Sequence, residues 1–207
     1  MSAQPQGLRA GITGVVLAGG RATRMGGIDK GLVAVAGRPM VAHIIERLAP
    51  QVDDLVINAN RSEDEYSAYG HRLAADTLEG FLGPLAGLLA GMQAADTDQV
   101  VTAPCDSPLL PADYVDRLAS ARHEADADIA VAHDGSRQQP VFLLVRTQLQ
   151  TELADWLAAG GRKIDAWFAG HRVVDVSFTD CPEAFLNINT PAERDAIETR
   201  MQVGEGP

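Results

Sequence analysis

The sequence predicts a single α/β domain of three layers, a mostly parallel sheet with helices on both faces. Three observations lead there. Short apolar runs alternate with amphipathic stretches along the chain, the first run opens into a glycine-rich loop bearing cations, and polar residues suited to a ligand recur where runs end. In such a sheet ligands bind beyond the carboxyl ends of the strands, which is where the loop at 19–30, Asn58, Asp76 and Asp106 fall.

The elements follow in order. Thr13 to Ala18 reads as a buried first strand, and Met40 to Leu48 as a helix with Val41, Ile44, Ile45 and Leu48 on one face. Leu55 to Asn58 gives the second strand, Glu63 to Tyr69 a short polar helix, and His71 to Ala75 the third strand. Leu85 to Ala94 is helical, entered through Gly83-Pro84, and Gln99 to Ala103 is the fourth strand. Pro111 to His123 is an amphipathic helix, Ile129 to His133 a strand, and Pro140 to Val145 a β-run placed to pair against it. Gln148 to Ala158 and Lys163 to Phe168 are helical, and Val173 to Phe178 is the last strand. The domain is expected over 13–201, with flexible tails at 1–12 and 202–207 and neither a linker nor an internal repeat.

With 207 residues, 46% hydrophobic and 22% charged, the chain has the balance of a globular domain able to bury a core. No apolar run approaches the ~20 residues that span a bilayer, and the N-terminus lacks the basic-then-apolar pattern of a secretory signal. A cytoplasmic protein without a membrane partner is expected. Cys105 and Cys181 are too few for a disulfide framework or a zinc site and are expected as reduced thiols. A net charge of −11 argues against a nucleic-acid partner. An acidic chain that handles an anion must therefore concentrate its cations, and Arg21, Arg24, Lys30 and Arg38 lie within residues 21–38.

Leu17-Ala18-Gly19-Gly20-Arg21-Ala22-Thr23-Arg24-Met25-Gly26-Gly27-Ile28-Asp29-Lys30 is the most informative segment. Its glycines let backbone N–H groups approach an anion and its cations add charge that amide dipoles alone do not supply, so the expected ligand is a nucleotide polyphosphate. Two familiar phosphate loops fail on spacing. Lys30 stands between Asp29 and Gly31 and has no following hydroxyl for Mg²⁺, which excludes a Walker A loop. Glycines at 19, 20, 26 and 27 do not thread onto the Gly-x-Gly-x-x-Gly dinucleotide fingerprint.

The same segment resembles the signature of the molybdenum cofactor guanylyltransferases, which join GTP to molybdopterin and release pyrophosphate. The resemblance continues in order through Asn58-Ala59-Asn60-Arg61, Gly83-Pro84-Leu85-Ala86-Gly87, Pro104-Cys105-Asp106-Ser107-Pro108 and Asn187-Ile188-Asn189-Thr190-Pro191, covering residues 13 to about 195. It implies a Rossmann-like nucleotidyltransferase fold, GTP and molybdopterin or its molybdenum-loaded form as substrates, and Mg²⁺ as cofactor. The expected partners are other cofactor-biosynthesis proteins and apo-molybdoenzymes or their chaperones, with the chain itself a monomer.

The site residues follow from the same resemblance. Arg24, Lys30 and Asp106 are the catalytic set, with Asp106, a carboxylate between prolines at a strand end, as the Mg²⁺ ligand. Leu17, Ala18, Gly19, Gly20, Lys30, Asn58, Asp76, Gly83, Pro84 and Asp106 are expected to hold the nucleotide, and Gln139, Pro140, Asn187 and Asn189 the pterin. Asn187 and Asn189 are two apart, so in an extended stretch they face the same way. Local sequence leaves plainer roles open: a strand-end cap for Asn58, a turn for Asp76 and Asp106, a helix N-cap at Asn189-Thr190-Pro191. Cys105 reads as a small buried residue behind the turn, and Trp156 and Trp167 as core anchors. The nucleophile would be a phosphate monoester, largely ionised at neutral pH because its second pKa is near ~6, so no strong general base is needed. The competing readings are a cytidylyltransferase, which usually has Leu-Ala-Ala-Gly in place of Leu17-Ala18-Gly19-Gly20, a sugar-phosphate or isoprenoid nucleotidyltransferase, and a non-catalytic carrier.

Overall fold

Strand β1 (Arg9–Leu17) runs through the middle of a seven-stranded sheet. The computed structural model describes residues 9–19, 29–78 and 83–203. After β1 come a single 3-10 turn (Lys30–Leu32), a two-stranded antiparallel ribbon of β2 (Ala34–Val35) and β3 (Arg38–Pro39), and helix α1 (Met40–Leu48). Then follow β4 (Asp54–Asn58), α2 (Glu63–Ser67), β5 (Arg72–Ala74), α3 (Pro84–Ala94) and β6 (Thr97–Pro104). The second half holds α4 (Tyr114–Glu124), β7 (Ile129–His133), β8 (Gln138–Arg146), α5 (Gln150–Ala158), α6 (Ile164–Phe168), β9 (Val173–Ser177) and α7 (Pro191–Val203). Among the described residues no helix is long and apolar enough to cross a membrane.

The sheet order is β5-β4-β1-β6-β8-β7-β9. Every adjacent pair is parallel except the two made by β8, which pairs antiparallel with β6 and β7. The expected antiparallel partnership of the runs at 129–133 and 140–145 is therefore present, and β8 alone runs against the rest. Its insertion ends the parallel block at β6, so β5, β4, β1 and β6 deliver their carboxyl ends to one rim.

Alternation along β1 builds two cores. Val16 faces α1 and α4, with Ile44, Leu48, Ile57, Ala103 and Tyr114, while Val15 faces α3, α5 and α6, with Val56, Leu89, Met92, Leu153 and Trp167. These are the helix layers the sequence predicts. Trp167 is buried, and Trp156 is half-buried against the same side. A third, smaller cluster of Val35, Met40, Leu109, Ile188 and Ile197 seats α7 on the β2–β3 ribbon.

Three features differ from the sequence expectation. β1 begins at Arg9, inside the segment read as a tail, because Gly11 adopts φ +144° and shifts the register against β6 between Arg9 and Ile12. The carboxylates of Asp98 and Asp53 accept the Gly11 and Ile12 N–H groups at 3.2 and 2.8 Å. The β2–β3 ribbon has no sequence periodicity long enough to announce it. Helix α7 also lacks a regular apolar stripe, and it runs on to Val203. It opens on a reciprocal cap: Thr190 Oγ1 accepts the Glu193 N–H at 3.2 Å while Glu193 accepts the Thr190 N–H at 2.8 Å.

Helix α3 lies against β1 with no space between them. A Cβ on Gly91 would stand 2.4 Å from Val15 Cγ2, and Val15 is a stiff, fully buried residue of the central strand. Gly91→Val is expected to lower unfolding free energy by at least about 2 kcal/mol, measured by denaturant titration, with nucleotide affinity lost only in proportion to folded protein.

Candidate functional site

The rim formed by β1, β4, β5 and β6 opens onto a cleft of about 340 Å³. It is lined by Leu17, Ala18, Gly19, Lys30, Asn58, Asp76, Gly83, Pro84, Gly87, Pro104, Cys105, Asp106 and Val141. Its floor is stiff because the ladders continue past the strands: Ala18 N–H reaches Asn58 O at 2.9 Å and Cys105 N–H reaches Leu17 O at 3.0 Å. The N-terminus of α3 faces the same space through Gly83, Pro84 and Gly87, bringing the positive end of an eleven-residue helix to the cleft.

Lys30, the first residue of the 3-10 turn, reaches across the cleft. Its Nζ donates to Asp106 Oδ2 and, at 2.6 Å, to Asn189 Oδ1. The ammonium and carboxylate are part-buried, 26% and 15% exposed as side chains, so their attraction is less screened than that of a surface pair. Asp106 Oδ1 is buried and has no hydrogen-bond partner among the described residues. The Asp106 turn is locked to the segment before α7, since Ile188 N–H donates to Asp106 O at 2.9 Å and Ser107 Oγ donates to Asn187 Oδ1 at 2.6 Å. Asn187 and Asn189 thus flank buried Ile188 and turn the same way, and Glu193 fixes the second by accepting its N–H at 2.7 Å.

At the other end of the cleft Asp76 is held by amides. Asn58 Nδ2 donates to Asp76 Oδ1 and Asn60 Nδ2 to Asp76 Oδ2, both at 2.9 Å, while Asp76 N–H returns a bond to Asn60 Oδ1 at 2.7 Å. Gly19 and Gly87 make room for this cluster, because a Cβ on either would meet Asn58 Oδ1 at 2.9 or 2.4 Å. Asn60 belongs with Asn58 and Asp76 although the sequence reading assigned it no role. Its two-residue spacing from Asn58, the same argument used for Asn187 and Asn189, is the signal that could have found it.

Leu17, Ala18, Gly19, Lys30, Asn58, Asp76, Gly83, Pro84 and Asp106 therefore share one cleft, and Asn187 and Asn189 close its Asp106 end. Gly20 and Arg24 lie outside the described residues. Gln139 and Pro140 line a different, open hollow with Arg137, Gln138 and Asp165. Gln139 is buried and donates through Nε2 to Asp134 Oδ2 at 2.6 Å, and no hydrogen bond joins it to either asparagine among the described residues. Backbone N–H groups of Arg137 and Ser136 hold the Asp134 carboxyl well below the usual carboxylate range.

Among the described residues no three His, Cys, Asp or Glu side chains gather as a metal cluster, and Cys105 and Cys181 are both free and buried. Burial pushes the Cys105 thiol far up, with the negative charges of Asp106 and Asp29 adding to it, and burial likewise raises Cys181.

A family model described as the MobA-like NTP transferase domain matches residues 14–174, and the class this fold and cleft define is that of a nucleotidyltransferase. Proteins named molybdenum cofactor guanylyltransferase from Shewanella pealeana and Shewanella baltica are similar throughout. The first is 46% identical over 198 residues, 96% of each chain, and the second 47% identical over 186 residues, 90% of this chain and 95% of that one. The chain belongs to the molybdenum cofactor guanylyltransferase family. Two solved structures share its fold. One is the molybdopterin-guanine dinucleotide biosynthesis protein A of Archaeoglobus fulgidus (TM-score 0.79, 22% identity, 92% of this chain and 99% of that one). The other is a CMP:2-keto-3-deoxy-manno-octonic acid synthetase complexed with CTP (TM-score 0.68, 16% identity, 95% and 99%).

Raised thiol pKa values and burial leave almost no accessible thiolate. Titration with a disulfide reagent at mildly alkaline pH is expected to find no reactive thiol in the native protein and both Cys105 and Cys181 after denaturation. Fast native labelling of Cys105 would contradict its placement behind the Asp106 turn.

Proposed function

We propose that this chain transfers GMP from GTP to the phosphate of molybdopterin, in its molybdenum-loaded form, yielding molybdopterin guanine dinucleotide and pyrophosphate. The observation that carries the reading is the Lys30 ammonium shared between Asp106 and Asn189 at the rim of the parallel strands. It sets a cation, a carboxylate and an amide around one spot, and the cleft leads from there to a second carboxylate, Asp76, suited to the donor edge of guanine.

In the reaction an ionised phosphate oxygen of the pterin attacks the α-phosphorus of GTP, the bond to the β-phosphate breaks in line, and pyrophosphate leaves with the electron pair. No proton need be removed from the nucleophile, so the chain's work is positioning and charge stabilisation. Leu17, Ala18 and Gly19 supply backbone to the nucleoside, with Asp76 oriented by Asn58 and Asn60. Gly83 and Pro84 bring the N-terminus of α3 near the triphosphate. Lys30 turns from Asp106 to the phosphates and stabilises the charge that grows on the leaving group, with Arg24 and Gly20 assigned to the same task. Asn187 and Asn189 hold the incoming phosphate, and Gln139 and Pro140 the pterin beyond it.

Asp106 fits a divalent cation. One oxygen is orphaned and buried, the other is satisfied by a lysine that a triphosphate would draw away, and a single protein carboxylate with phosphate and water oxygens suits Mg²⁺. Bound there, Mg²⁺ would neutralise the triphosphate and the departing pyrophosphate. Carried over from the family resemblance, the reading includes a cytoplasmic monomer that receives molybdopterin from cofactor-biosynthesis proteins and passes the product to apo-molybdoenzymes or their chaperones.

Pyrophosphate release from GTP, Mg²⁺ and molybdenum-loaded molybdopterin tests the reading, and equal release from CTP would refute the base assignment. Asp106→Asn is expected to lower turnover by about 10²- to 10³-fold while leaving the far-UV and near-UV circular dichroism unchanged. Because Lys30 competes for the same carboxylate, Mg²⁺ without nucleotide should bind weakly to the native chain and more tightly to Lys30→Ala, which nonetheless loses turnover. Calorimetry showing equal or weaker metal binding in that variant would sink the competition.

A further inference from the structure

We infer that Asp29 and Tyr66, steadied by Arg61, are positioning residues that aim Lys30 at the reaction, an assignment that rests on the transferase reading above. Asp29 immediately precedes Lys30, yet its side chain turns inward and the residue is only 6% exposed. Its Oδ1 accepts the Tyr66 hydroxyl at 2.7 Å and the Gly31 N–H at 3.3 Å. Its Oδ2 faces Arg61 Nε at 3.5 Å. One carboxylate thereby caps the 3-10 turn on which Lys30 sits and ties that turn to α2 and to the segment after β4.

The fit beneath the turn is tight. A Cβ on Gly31 would stand 2.5 Å from Tyr66 Oη and 3.3 Å from Cys105 Sγ, so the residue after Lys30 packs directly against the Tyr66 hydroxyl and against the residue before Asp106. Tyr66 is fully buried, and burial, reinforced by the bond to Asp29, drives its hydroxyl far above the usual tyrosine range. It therefore remains a donor. For stability alone an apolar pair of similar volume would serve as well as a buried carboxylate. What an apolar pair could not do is fix the direction in which Lys30 leaves the turn.

The bracket also joins the two ends of the cleft. Asn60 hydrogen-bonds Asp76 while its neighbour Arg61 faces Asp29 as an ion pair, so a five-residue stretch from Ala59 to Glu63 links the base-side carboxylate to the phosphate-side lysine. Displacement of a catalytic group by about 1 Å costs on the order of 100-fold in rate, so small slack in this bracket registers in turnover before it registers in folding.

The test uses the full chain with Tyr66→Phe, which keeps the ring and removes only the donor, and Asp29→Asn as a second variant of the same shape. Each is expected to lower kcat by about 10- to 100-fold with KM for GTP nearly unchanged. In a Lys30→Ala background, adding Tyr66→Phe should change turnover by less than about twofold, whereas independent structural damage would multiply the two losses and overturn the inference. A readout free of activity comes from the composition: Lys30 and Lys163 are the only lysines, so isotope-labelled lysine gives two side-chain ammonium signals. The Lys30 signal, shifted and protected from exchange by Asp106 and Asn189, should move to the free-lysine position in both variants. An unmoved signal overturns the positioning role. Absence of nucleotide transfer in the unaltered chain would instead remove the transferase reading and leave the lysine spectrum to decide positioning by itself.

Discussion

The contact between Lys30 and Asp106 is what the rest of the cleft is organised to present. It joins positions 76 residues apart, and Asn189 brings in a third segment 159 residues from the lysine. Such a contact forms only when the parallel strands, the turn after β1 and the approach to α7 are all in place. Its charges are largely withdrawn from water, enough to strengthen their attraction, and still partly open to an anionic ligand. A lysine and an aspartate that satisfy each other at rest are also two groups a metal–triphosphate would recruit together, the cation to the phosphates and the carboxylate to the metal.

Strand polarity sets where this happens. Four neighbouring strands end at the same rim, and β8, running the other way, closes off the parallel block beside β6. Close packing fixes the rim further: α3 touches β1 through Gly91, and Asn58 is wedged between Gly19 and Gly87. The residues that line the cleft stand on short, ladder-tied ends, which limits how far they stray from one arrangement.

Much of the fold was legible because the signals were local. Met40–Leu48 and Ile129–His133 have the bounds that their patterning indicates, since an apolar stripe or a β-branched run suffices to specify each. The β2–β3 ribbon and α7 were not legible in that way. The ribbon has two residues per strand, and α7 owes its seat to a few distant contacts at Val35, Met40 and Ile197. At the cleft, motif order drew attention to Asn58, Asp76 and Asp106, which the fold gathers. Asp29, although part of the signature segment, and Tyr66, directly after the acidic run Glu63-Asp64-Glu65, were given no role, because only tertiary contact shows that the hydroxyl of one meets the carboxylate of the other. Gln139, by contrast, lies in a hollow apart from the asparagines, a separation that no linear spacing encodes.

The most direct test is a crystal structure with Mg²⁺ and a GTP analogue that cannot be cleaved between the α- and β-phosphates. The account predicts that Lys30 Nζ leaves Asp106 for the phosphates, that Asp106 takes the metal, and that the base lies toward Asp76. A triphosphate bound elsewhere, or one bound here while Lys30 stays on Asp106, would contradict it.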